Sequence, residues 1–167
     1  MRCLCRSDEF GPTGESSYCL AGVLHTMLSH TTIDGVLQIF GGLGSWDASF
    51  HDLRAAGGLL VSAVRRNGTA EFVRVQSSSA RKIAVSVPDD RRWRAGAQIS
   101  AVPSTVRLSQ SAGADGQAAW GFELQANEAV VLHAVGVAGP PFRIEPQPSN
   151  RSEEHWFGYS REFPPQK

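Results

Sequence analysis

Apolar positions along this chain change their period once, and the change divides it. From Leu20 they recur at Val23, Leu24, Met27 and Leu28, the i, i+3, i+4, i+7, i+8 spacing of one stripe on a helix. Ser16 and Ser17 precede the stripe and offer an N-cap, while Ser29 and His30 close it. The spacing predicts a single amphipathic helix over 15–29, after a polar, loop-like stretch at 1–14.

Past the β-branched Thr31, Thr32 and Ile33 the helical period is lost. Val36 to Phe40 reads as a short strand after an Asp34-Gly35 turn, followed by an aromatic and acidic link. Leu59–Arg66 and Thr69–Ser77 flank Asn67-Gly68, the strongest short-range hairpin signal, because a type I′ turn needs positive φ at both central residues. Glu71, Val73 and Val75 alternate with Phe72, Arg74 and Gln76, as a half-covered strand requires. Ile83, Val85 and Val87 repeat the alternation, as do Trp120, Phe122 and Leu124, and Val130 to Val135 is apolar throughout except His133. Turn residues fill the gaps at Pro88-Asp89-Asp90, 112–116 and Gly139-Pro140-Pro141. Many short strands behind one helix predict a mainly β fold, an antiparallel β-sandwich. The expected organisation is a loop and helix over 1–33, a sandwich over 34–145, and a polar tail over 146–167 whose Trp156, Phe157 and Tyr159 dock on the sandwich.

Composition narrows the functions open to such a domain. Hydrophobic residues make up 41% and charged residues 19% of 167, which is globular rather than disordered. Sixteen basic residues balance sixteen acidic ones; a nucleic-acid or membrane-surface binder needs a basic excess, so neither partner is expected. The run Arg91, Arg92, Trp93, Arg94 follows Asp89 and Asp90 and reads as a solvated loop. Cys3, Cys5 and Cys19 form no CxxC pair, and the five histidines form no ligand pair at helical spacing, so no metal site and no cofactor are expected. The N-terminus lacks the continuous apolar core of a signal peptide, and no apolar run approaches the ~20 residues of a membrane span. Asn67-Gly68-Thr69 and Asn150-Arg151-Ser152 both satisfy the N-x-S/T pattern, the first being better explained as the hairpin turn.

The segment LAGVLHTMLSHTTIDGVLQIF from Leu20 to Phe40, and SWDASFHDLRAAGGLLVSAVRRNG after it, resemble the junction between barrel and C-terminal sandwich in glycoside hydrolase family 95, the α-L-fucosidase type. The second is similar to that family's W-x-D/A-x-x-F-x-D-L-R-A-x-G-x-F-x-V-S-A segment. The likeness is most specific over 20–76. It implies that the helix is the last of an α/α toroid, and that the chain is the C-terminal accessory part of an enzyme hydrolysing terminal α-L-fucosides with inversion. Most of the acidic residues of that chemistry lie upstream of such a junction, so this chain is expected to be inactive alone and to have the helical catalytic barrel as its partner. Relatives often carry Phe-x-x-Asp-Gly-Asn before the last helix. Here the stretch is Phe10-Gly11-Pro12-Thr13-Gly14-Glu15, and Thr13 stands where a carboxylate would take or orient a proton.

Three residues emerge as candidate substrate contacts. Glu15 follows Thr13 by two residues and is a possible substitute carboxylate, although an acidic residue in a first helical turn also suits the helix dipole. His30, at the end of the helix, would face the barrel mouth in a parent enzyme, with a C-terminal cap as the competing role. Trp46 lies on the loop entering the sandwich, where it would meet the barrel or stack on a sugar. Phe50, Trp93, Trp120 and Trp156 invite the same stacking role, but tryptophans in a sandwich of this size are more often packing residues. His51-Asp52 beside Arg54 reads as a surface polar network. The alternative to an accessory fragment is a freestanding carbohydrate-binding module, with a purely structural interaction domain as a third reading that uses the apolar face of the helix.

Overall fold

The computed structural model describes residues 14–44, 46–88, 90–112, 117–137, 141–144, 155–156 and 159–160, with backbone alone at 14–17, 155–156 and 159–160. One helix leads into two five-stranded sheets, packed as a sandwich.

Helix α1 spans Gly14–Leu28, one residue earlier at each end than its apolar stripe predicts. Ser16 and Ser17 therefore lie inside it and do not cap it. It ends by running straight into β1, Ser29–Thr31, which pairs antiparallel with β2, Val36–Ile39. Helix ends leave carbonyls without intrahelical donors. Two of these are met by the loop after β2, where the Phe40 amide donates to Leu28 O at 2.9 Å and the Gly42 amide to Met27 O at 3.4 Å. Gly42 passes so close that a Cβ there would sit 2.9 Å from Met27 Cγ. The last turn of α1 is thus clamped to the sandwich, with Met27 and Leu28 packed against the core.

One sheet has the strand order β1-β2-β6-β9-β8, where β6 is Arg81–Ser86, β8 is Ser109–Ala112 and β9 is Ala118–Leu124. The other runs β3-β4-β5-β10-β7, formed by Ala48–Ala55, Leu59–Arg66, Thr69–Ser77, Ala129–Ala134 and Ile99–Val102 respectively. Two further short strands, β11 at His155–Trp156 and β12 at Tyr159–Ser160, pair antiparallel with each other. The expected docking of the tail aromatics lies outside the described residues.

The β4–β5 hairpin has the predicted limits. Its turn residues Asn67 and Gly68 take φ of 52° and 70°, the pair of positive angles that made Asn-Gly the signal. The expectation of a wholly antiparallel sandwich needs one correction: β2 and β6 are parallel, with Val36 opposite Ala84 and Gln38 opposite Ser86. A parallel pair needs a long crossover, and here strands β3, β4 and β5 of the opposite sheet supply it. The stretch read as an aromatic and acidic link is largely strand β3.

Inward residues of both sheets form one core. Leu37, Ile39, Ile83, Val85, Trp120, Phe122 and Leu124 meet Phe50, Val61, Ala63, Val73, Val75, Val130 and Leu132. Phe40 and Phe50 join the layers edge to face, with centroids 5.5 Å apart and planes at 71°. Trp93 is also buried, at 1% exposure, so the run Arg91 to Arg94 is only partly solvated. It folds as a short 3-10 turn, Arg91–Trp93, with Asp90 as its N-cap. The indole of Trp93 donates to Ala70 O at 3.0 Å, and the buried Asp90 accepts from Ala70 N at 2.5 Å and Arg92 N at 2.9 Å.

Candidate functional site

The residues singled out in the sequence fall at separate places. Glu15 lies in the first turn of α1 and its side chain is outside the described residues, as are Phe10 and Thr13. His30 does not cap the helix, because it is the central residue of β1, opposite Gln38. It is half-buried, its Nδ1 lacks a hydrogen-bond partner, and its ring lies against Gly41.

Trp46 is 70% exposed. It follows the tight turns that leave β2, where Leu43 N donates to Phe40 O at 3.3 Å and Trp46 N to Leu43 O at 3.1 Å. Beside it, Asp47 Oδ1 accepts from Gly68 N at 3.3 Å, which ties this loop to the tip of the β4–β5 hairpin. Trp46, Asp47, Asn67 and Gly68 together line an open depression of about 630 Å³. An aromatic face beside carboxylate and amide oxygens can stack on a sugar and hold its hydroxyls. Trp93 and Trp120, weighed for the same role, are buried in the core and present no outer face.

Strand β3 supplies a further place through a β-bulge. Phe50 opposes Ala63 and Leu53 opposes Val61, so His51 and Asp52 share the single position facing Ser62. Such an extra residue bends a strand and re-aims its side chains. Asp52 accommodates it with φ of 50°, an unusual angle outside glycine. Its amide donates to Ser62 Oγ at 2.9 Å, and that hydroxyl donates to Asp52 Oδ1 at 3.1 Å. Arg74 Nη1 donates to the same oxygen at 3.1 Å, and Nη2 to Gln76 Oε1 at 2.7 Å. His51 Nδ1 lies 3.4 Å from Asp52 Oδ2. The predicted polar network is present, but it is completed by Arg74 and Ser62; Arg54 is exposed and stands outside it.

The cluster holds serine, histidine and aspartate without being a catalytic triad. A nucleophilic serine needs its proton held by the imidazole, with the carboxylate behind the ring. Here Ser62 is buried and its proton goes to Asp52. The arrangement stabilises a bulge. Among the described residues no three His, Cys, Asp or Glu side chains gather as metal ligands.

The sequence reading missed what stands over this network. Arg74 and Phe72 share the outer face of β5, and Phe142 reaches back to pack on Phe72 and on His133, with centroids 5.3 and 5.1 Å apart. Alternation along β5 already put Phe72 and Arg74 on one face, whereas nothing local marks Phe142 as their neighbour. No family model matches the chain, and no curated protein is significantly similar to it.

Proposed function

We propose that this chain is a non-catalytic accessory β-sandwich of an α-L-fucosidase-like glycoside hydrolase, joined through α1 to a helical catalytic unit. The observation that carries this reading is the state of the helix. Its last turn is fixed to the sandwich, while Tyr18, Leu20, Val23 and Leu24 are 48–81% exposed. An amphipathic helix with its apolar stripe in water is a surface made for a partner. A helical partner fits the resemblance of residues 20–76 to the seam between a helical toroid and its sandwich. The Ser62, Asp52 and His51 cluster holds a strand bulge rather than forming a catalytic triad.

The test is to co-express the chain with the helical unit of an α-L-fucosidase-type enzyme that lacks its own sandwich. The chain is expected to co-purify with that unit and raise its melting temperature, and Leu20→Glu/Leu24→Glu to abolish both effects. Hydrolysis of a synthetic α-L-fucoside by the chain alone, lost on Glu15→Gln, would contradict the proposal. A second reading, a carbohydrate-binding module, is favoured by the exposed Trp46 beside Asp47 and Asn67. It predicts glycan-array binding that disappears in Trp46→Ala while the fold is retained.

A further inference from the structure

The outer face of the β3-β4-β5-β10-β7 sheet carries a cavity of about 600 Å³, distinct from the Trp46 depression, with His51, Ser62, Phe72, Arg74, Phe142 and Arg143 in its lining. That volume lies within the ~300–1,000 Å³ usual for small-ligand sites. Its floor is one cross-strand row, in which the His51–Asp52 bulge faces Ser62, Ser62 faces Arg74, and Arg74 faces Val131. Its wall is aromatic, with Phe142 tilted at 53° to Phe72.

The charges do not cancel. Asp52 offsets Arg74, whereas Arg143 is exposed and has no ion-pair partner among the described residues. An exposed guanidinium with no ion pair among the described residues, a second held rigid by Asp52 and Gln76, and an imidazole nearby make a seat for a carboxylate. An inorganic anion would engage these cations and leave the aromatic wall and most of the volume unused. A pyranose ring matches both, because its C–H face packs on Phe142 and its hydroxyls meet the exposed His51 imidazole.

We propose that this cavity binds a carboxylate-bearing pyranose, a uronic acid residue of an acidic glycan. The carboxylate sits at Arg143 and Arg74, and the ring lies along the Phe72–Phe142 wall. This inference rests on residues apart from α1 and Trp46, so it stands or falls independently of the docking proposal.

Titration of the full chain with trigalacturonic acid tests it, using calorimetry together with amide chemical shifts. Saturable binding is expected, with shifts concentrated at Phe72, Arg74, Val131 and Phe142. The methyl ester of the trisaccharide, which keeps the ring and loses the charge, should bind at least about ten-fold more weakly, a difference of ~1.4 kcal/mol. Arg143→Gln should cause a similar loss without changing the circular dichroism spectrum, since the side chain is exposed. Absence of binding, equal affinity for the methyl ester, or unchanged affinity in Arg143→Gln would each overturn the proposal. Sodium sulfate binding as tightly as the sugar acid would also overturn it, by showing a site for anions in general.

Discussion

Asp90 shows how one side chain can hold two parts of this molecule together. Its carboxylate accepts from Ala70 N in the sheet and from Arg92 N in the turn beneath it, and it is itself buried. Removing it leaves two backbone donors unmet, each costing about 1–3 kcal/mol. Asp90→Ala is therefore expected to lower unfolding free energy by about 3 kcal/mol in urea denaturation, and Asp90→Asn, which keeps one acceptor, by about half of that. Equal stability of both variants with the parent would refute the role. Arg65 is the opposite case. It is 2% exposed and, among the described residues, donates only to Gly68 O and leaves Nε and Nη1 without partners. A buried charge with so little compensation contributes little. Arg65→Met is predicted to be neutral or stabilising within about 1–4 kcal/mol, and a loss of stability in the same assay would show that the guanidinium matters.

At the scale of elements, α1 is held at its C-terminal end, while Tyr18, Leu20, Val23 and Leu24 are exposed. Gly42→Ala would push a methyl to 2.9 Å from Met27 Cγ and 3.1 Å from its Cα. Overpacking of this kind costs about 1–3 kcal/mol, and the loss should appear in thermal unfolding together with faster amide exchange at Met27 and Leu28. Unchanged exchange at those residues would mean that the clamp is not at Gly42. The elements best read from sequence are those whose signal is local. Asn67-Gly68 fixed a turn by its φ preference, and the alternations through Val75, Val85 and Phe122 gave strands facing one core. Strand β3 escaped because its bulge places His51 and Asp52 at one position and breaks the period of two. Strand β8, Ser-Gln-Ser-Ala, is a fully exposed edge with no apolar face to alternate. His30 lies in a strand and not at a helix cap for a related reason: β1 follows the helix without an intervening residue, so the residues that close the helix also open the strand.

For the whole molecule, the parallel pairing of β2 with β6 brings together segments that no local pattern links. The same holds for the cavity between β5 and Phe142, whose halves are far apart in sequence. Individual residues of a site could be nominated from the sequence, but their grouping could not. Trp46 and His30 lie in different surroundings, and Trp93 belongs to the core. The exposed Leu20, Val23 and Leu24 on α1 also have a consequence for the isolated chain. Sedimentation velocity is expected to show association that grows with concentration and vanishes in Leu20→Glu/Leu24→Glu. A monomer at every concentration would mean that water is tolerated along the stripe.

The proposal that α1 is the seam to a helical glycosidase unit is tested most directly by amide hydrogen exchange across residues 18–24. These amides should exchange fast in the dilute chain and become strongly protected when the helical unit of an α-L-fucosidase-type enzyme is added. Protection already present in the monomer, or none gained on mixing, would contradict it.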